Sequence, residues 1–268
     1  MIAQLPMYDW PEARAANDAL WQSVRQALTA RHLDSPAALD RMTDPEVAWR
    51  SPELLWSQTC GLPLVTSLAG QVQVVGSFSY RDCMSPGLYH SVIVAREDSP
   101  SEFQDFEGRR AVINGLDSYS GCLALKRMMK DLGVSQHFFG MLSISGGHRD
   151  SVKHVAQNKA DIAAIDCVSW SLAQRFDEEA RKLKVIAHTA SRPNLPIIAS
   201  LERTEDEINL LREATSEAVR SLDKNAQEIT GITGFVSRTT LDYESIRSDF
   251  EKASGLELAK NERALSLA

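Results

Sequence analysis

The chain has 268 residues, of which 43% are hydrophobic; that is enough apolar material for one large domain or two lobes, and it excludes a disordered or fibrous chain. Its 29 basic and 36 acidic side chains leave a formal net charge of −7, so no global positive field favours nucleic acid as a partner. No stretch approaches the roughly 18 consecutive apolar residues that a membrane-spanning helix needs, so the sequence does not read as an integral membrane protein.

The N-terminus, Met1-Ile2-Ala3-Gln4-Leu5-Pro6, has no basic stretch, no apolar segment of export length and no cleavage site. As given it carries no visible export signal, which implies either that the protein stays in the cytoplasm or that a signal was trimmed. Ile2 to Met7 predicts a short first strand, and Pro11 starts a helix to about Ala30 whose Leu20, Val24, Ala27 and Leu28 form one apolar stripe. Ser51-Pro52-Glu53-Leu54-Leu55-Trp56 reads as a capped short helix running into the loop Gln58-Thr59-Cys60-Gly61. Gln71 to Tyr80 and Tyr89 to Ala95 read as strands, the second suited to a crossing between lobes.

A strand–helix rhythm follows. Arg110 to Asn114 predicts a strand, Ser120 to Leu132 a helix, Gly140 to Ile144 a strand, Asp150 to Asn158 a helix and Asp161 to Asp166 a buried strand. That alternation implies an α/β fold with mostly parallel sheets flanked by helices. Leu183 to Ala187 and Ile197 to Leu201 add strands around the rigid turn Arg192-Pro193-Asn194-Leu195-Pro196, and the remainder reads as helical over 205–222, 226–229 and 243–254. The crossings divide the chain into a discontinuous first lobe, 1–88 plus 190–268, and a second lobe, 89–189, with a ligand cleft between them.

Two strand-to-helix links carry the chemistry. Asn114-Gly115-Leu116-Asp117-Ser118-Tyr119-Ser120-Gly121 and Ser143-Ile144-Ser145-Gly146-Gly147-His148 both place small residues and hydroxyls at a helix start. The first amides of a helix lack internal partners and its dipole is positive there, so Ser118, Tyr119, Ser120 and Gly121, with Ser145 and His148, suit a small oxyanion. Taken alone, either link also reads as an ordinary serine cap. Adjacent parallel strands end on one edge, and the repetition there favours an anion site. His148 either donates to the anion or caps its helix, and Asp166 either accepts from a ligand or caps the helix that follows. Tyr8, Gln58, Thr59 and Cys60 lie at the ends of early elements of the first lobe, and Arg192 lies in a loop that can face a cleft. The cysteines at 60, 83, 122 and 167 show no metal-ligand or disulfide spacing, so they read as structural thiols, and neither metal nor cofactor is expected.

Together Leu5-Pro6-Met7-Tyr8, Ser51 to Leu55 with Gln58 to Gly61, Asp117 to Gly121, Gly146-Gly147-His148 with Ser151, and Ala160 to Asp166 resemble the phosphate/phosphite/phosphonate-binding proteins of ABC importers over residues 1–235. The resemblance implies the two-lobed type II periplasmic binding protein fold, capture of a phosphonate- or phosphate-like anion by hinge closure, a periplasmic setting, and the importer's membrane subunits as partners. It also implies that Ser118, Ser120 and His148 hold the phosphonate oxygens while Tyr8, Gln58 and Asp166 line the rest. Arg192 and Asn194 stand near Pro193, where an acidic side chain would hold an aminoalkyl group, which argues against an aminoalkyl phosphonate. The competing readings are a cytoplasmic ligand sensor, or an enzyme on the same fold using Cys60 or His148; GxSxG, HExxH, Walker and GxGxxG motifs are absent.

Overall fold

A computed structural model describes residues 1–265. The chain forms two compact units: Met1–Leu88 with Pro193–Glu244, and Tyr89–Arg192 with the segment from Ser245 onward. Twelve strands occur among the described residues: β1 (Ile2–Ala3), β2 (Leu54–Gln58), β3 (Val72–Tyr80), β4 (Leu88–Tyr89), β5 (Ser91–Arg96), β6 (Arg110–Ile113), β7 (Met141–Ile144), β8 (Ile162–Asp166), β9 (Leu183–His188), β10 (Arg192–Pro193), β11 (Pro196–Ser200) and β12 (Ile232–Ser237). Short β4 pairs with β10 where the chain passes from one unit to the other. No helix among the described residues is long and apolar enough to cross a membrane.

The first unit carries a sheet in the order β1-β2-β11-β3-β12. Here β1 and β2 are parallel, while β11 runs antiparallel to both β2 and β3 and β12 runs antiparallel to β3. Strands β1, β2 and β3 therefore share one direction, and the two strands added after the chain returns are reversed. Ser51-Pro52-Glu53 does not open a helix. The five residues that follow, Leu54 to Gln58, are all buried and have no polar face to offer solvent, so they occupy the sheet interior between β1 and β11. Between the helices expected in the C-terminal part the chain adds β12, left unassigned by the sequence, which pairs with β3 through Phe235 opposite Phe78. The helix Arg14–Thr29 buries the predicted Leu20, Val24, Ala27 and Leu28. Trp21 stacks near Trp56, which meets Phe78 edge-on, so helix and sheet share an aromatic core.

The second unit carries the order β7-β6-β8-β5-β9. Parallel pairing joins β6 to β7 and to β8, and β5 is antiparallel to β8 and β9. Only β5, the strand that brings the chain in, is reversed against the other four. Both sheets are thus mixed. The consequence is functional. The C-terminal ends of β6, β7, β8 and β9 share one edge with the N-terminal end of β5, as the pairing of Ser91 with Asp166 and Val92 with His188 records. Ligands of open α/β sheets sit outside such an edge.

Residues 190–192 and the described residues from Ser245 onward belong to the second unit, not the first. Their side chains explain it: Leu258 and Ala259 join the apolar cluster of Phe103, Phe106, Phe138 and Phe139, Lys126 pairs with Glu262, and Arg192 pairs with Asp249. Long-range apolar docking of this kind leaves no local signal in an amphipathic helix.

Candidate functional site

Three βα turns on one edge of the second unit build the site. After β6 the chain reaches Ser118, whose Oγ accepts from the Gly121 amide at 3.0 Å and caps a π-helical turn, Tyr119–Leu123. The Leu123 amide donates to the Ser118 carbonyl at 3.1 Å, the i to i+5 bond of that turn. Gly121 packs closely under Asn114: a Cβ there would lie 1.8 Å from Asn114 Oδ1. After β7, Gly146 adopts φ +88, a conformation L side chains resist, and Gly147 begins the helix His148–Ala156 with no side chain capping it. After β8, Asp166 Oδ1 accepts from the amides of Val168 and Ser169 at 3.0 and 2.9 Å and caps the helix Cys167–Phe176.

The three turns converge. Ser120 Oγ lies 2.8 Å from His148 Nε2, and Asp166 Oδ2 lies 3.3 Å from the same nitrogen. Ser91 Oγ donates to the Ser120 carbonyl at 2.8 Å and holds the turn from β5. The His148 side chain is 11% exposed. Burial lowers its pKa, outweighing the opposing pull of the Asp166 carboxylate, so the ring is neutral at neutral pH and offers one N–H and one lone pair. The cluster presents a hydroxyl, an imidazole and an uncapped helix end with no lysine or arginine in it. Donors of that kind suit a compact anion.

The other predicted residues divide. Ser145 is on the same edge, but its Oγ is spent on Gly147 O at 2.9 Å and Ser151 Oγ at 2.7 Å, which stitch the turn itself. Tyr119 turns its hydroxyl to Asp249 Oδ2 at 2.7 Å. Arg192 gives Nε and Nη2 to Asp249 at 2.6 and 2.9 Å and Nη1 to the Ser191 carbonyl, so its guanidinium is committed elsewhere. In the first unit, Gln58 ends β2 and Thr59 and Cys60 follow it, all three buried, with Gln58 reaching Tyr80 Oη at 3.5 Å. Tyr8 meets the Tyr80 ring edge-on at 5.5 Å. Thr59 Oγ1 is buried without a hydrogen-bond partner.

The cysteine expectation needs correction. Cys83 and Cys167 are disulfide-bonded, whereas Cys60 and Cys122 remain buried thiols. Linear spacing says nothing about which cysteines are oxidised. Burial pushes the Cys122 thiol up to about 12. Among the described residues no group of three or more His, Cys, Asp or Glu forms a metal cluster.

Sequence reading missed Ser91, Asn114, Asp249 and the pair His90–His188, whose rings lie 5.1 Å apart. Asn114 opened a quoted motif, and its Oδ1 is buried beside Gly121. His90 stands at a crossing beside an apolar strand, a pattern indistinguishable from core.

The sequence model of a family described as the periplasmic substrate-binding protein of a phosphonate ABC transporter matches residues 64–243. No match was found among curated proteins. Three solved structures resemble the chain. XAC2383 from Xanthomonas citri, bound to chloride, has a TM-score of 0.72 at 13% identity, covering 95% of this chain and 98% of that one. A binding-protein component of an ABC phosphonate transporter from Pseudomonas aeruginosa has a TM-score of 0.70 at 15% identity, covering 92% and 84%. PhnD1 from Prochlorococcus marinus, in complex with methylphosphonate, has a TM-score of 0.69 at 15% identity, covering 94% and 97%. At these identities the likeness establishes the two-lobed type II fold.

Proposed function

Because the chain belongs to the family of periplasmic substrate-binding proteins of phosphonate ABC transporters, we propose that it captures a small phosphonate- or phosphate-like oxyanion on the Ser120–His148 cluster. The observation that carries this is the meeting of Ser120 Oγ and His148 Nε2, 2.8 Å apart, beside the uncapped start of the helix His148–Ala156. The hydroxyl, the imidazole and the first-turn amides are donors that need no desolvated lysine or arginine to receive a compact anion. Capture proceeds by hinge closure, after which the loaded protein delivers its ligand to the membrane subunits of an importer.

The geometry also weighs against acyl-transfer chemistry. A serine–histidine–aspartate relay divides serine and aspartate between the two ring nitrogens, whereas Ser120 and Asp166 both approach His148 Nε2. Cys60 is a buried thiol, 7% exposed, at the start of the helix Gly61–Val65. A periplasmic setting suits a chain in which Cys83 and Cys167 are oxidised, since disulfides persist in oxidising compartments.

The test is a thermal-shift panel of methylphosphonate, phosphate, phosphite and sulfate. A ligand at about 100 times its Kd stabilises the folded state by about 2.7 kcal/mol, a rise of roughly 5–10 °C for a chain of this size. At least one phosphorus oxyanion is expected to give that shift and the variant Ser120→Ala/His148→Ala to abolish it. A panel that shifts nothing, or a shift that survives the double substitution, refutes the reading.

A further inference from the structure

Asp249 lies in the helix Glu244–Ala253, far in sequence from the anion turns, and is 1% exposed. Its carboxylate receives donors from three other elements: the Tyr119 hydroxyl at 2.7 Å, Arg192 Nε and Nη2 at 2.6 and 2.9 Å, and Arg127 Nη1 at 3.2 Å. Burial alone would raise its pKa, but the hydrogen bonds from Arg192 and Tyr119 and the charges of Arg192 and Arg127 hold it below the usual carboxylate range. A buried carboxylate is tolerated only when so satisfied.

Two of those donors sit at functional places. Tyr119 is the first residue of the π-helical turn and directly precedes Ser120, and its buried ring packs 6.2 Å from Tyr89. Arg192 is the last residue of the second unit before the chain leaves it at Pro193. π-helical turns are rare, occurring mostly as single turns and frequently at functional sites, and the hydroxyl of Tyr119 holds the leading end of this one beside the Ser118 cap and the Ser91 bond to the Ser120 carbonyl.

We infer that Asp249 is the positioning residue of the oxyanion site: through Tyr119 it orients the turn that sets Ser120 on His148, and through Arg192 it fixes the outgoing chain to the same carboxylate. This rests on the functional reading above. Asp249 touches no ligand, so its effect reaches the ligand only through Ser120 and its turn.

The experiment is calorimetric titration of methylphosphonate into Asp249→Asn and Tyr119→Phe, each made alone and in a Ser120→Ala background, with melting temperatures measured in parallel. Asp249→Asn is expected to weaken binding roughly tenfold and Tyr119→Phe about fivefold. In the Ser120→Ala background neither is expected to add more than about twofold, because contacts acting through one group are not additive. Affinities within about twofold of wild type despite lowered melting temperatures, or full losses persisting without the Ser120 hydroxyl, overturn the inference and leave Asp249 a purely structural ion pair. If Asp249→Asn fails to fold, Tyr119→Phe decides alone, since it leaves the Arg192–Asp249 pair intact. A wild type that binds no methylphosphonate, phosphite or phosphate overturns the functional reading itself, an outcome distinguishable because it precedes any variant.

Discussion

The two helix entrances of the second unit share one sequence plan and do different work. At Ser118–Gly121 the hydroxyls are the active parts: Ser118 caps the Gly121 amide and Ser120 engages His148. At Ser145–His148 the hydroxyl is absorbed in the turn, and the His148 ring and the first-turn amides are what remain on offer, because Gly147 caps nothing with a side chain. Similar strings of serine and glycine thus yield one entrance that works through a hydroxyl and one that works through an imidazole and backbone amides. The two entrances also differ in room: a Cβ built at Gly121 would lie 1.8 Å from Asn114 Oδ1, whereas nothing lies within 4 Å of a Cβ built at Gly146 or Gly147.

Glycine replacement breaks this comparison most sharply. Gly121→Ala drives a methyl into Asn114 Oδ1 and close to His148 Cε1, so it is expected to abolish binding and to destabilise the chain by about 1–3 kcal/mol. Gly146→Ala meets no atom but holds φ +88, for which about 1–2 kcal/mol is expected, and Gly147→Ala is expected to be close to neutral. Chemical denaturation with parallel ligand titration separates the three. Equal effects at 121 and 147 would sink the proposed asymmetry.

Side-chain truncation comes next. His148→Ala is expected to weaken oxyanion binding by about 10- to 100-fold, the loss of one or two well-placed hydrogen bonds. Ser145→Ala is expected to lower stability by roughly 1 kcal/mol with affinity nearly unchanged, since its partners are Gly147 and Ser151. A large affinity loss for Ser145→Ala would show that the second entrance also works through its hydroxyl.

The pH response gives a smaller effect. Burial, followed by the neighbouring His188, lowers the pKa of His90, and burial lowers that of His148; Asp166 opposes both. A base whose folded pKa is depressed binds fewer protons folded than unfolded, so its stabilisation is whole above about 6.5, the unfolded value, and is lost as pH falls through the folded one. The melting temperature is therefore expected to drop between pH 7 and pH 5. Asp249 and Asp161, whose pKa values are lowered, lose their share only below about pH 4. A flat profile from pH 7 to 5 would mean that neither histidine is neutral for the reason given.

The smallest readout is a thiol count. Under denaturing, non-reducing conditions two of the four cysteines should react, Cys60 and Cys122, and Cys122 should resist alkylation in the folded protein because its thiol is pushed up to about 12. Four reactive thiols would contradict the disulfide state of Cys83 and Cys167.

Much of this was legible in the chain. The alternation around Arg110, Gly140 and Asp161 located β6, β7 and β8, and with them the turns bearing Ser120, His148 and Asp166. Local periodicity failed where the decisive contact is remote. Leu54 to Trp56 looked helical because serine and proline preceded it, and only burial on both faces makes it part of a strand. Arg192 looked like a ligand contact because Asp249, its partner 57 residues later, carries no local mark of its role. The reversal of β5 against β8 and β9 is likewise a matter of long-range pairing, which no window of sequence contains.

The most direct measurement is a crystal structure grown with methylphosphonate. The account predicts phosphonate oxygens within hydrogen-bond distance of Ser120 Oγ, His148 Nε2 and the first-turn amides of the helix His148–Ala156, with Arg192 still paired to Asp249. A ligand held by Arg192, or one seated away from the β6, β7 and β8 ends, would contradict it.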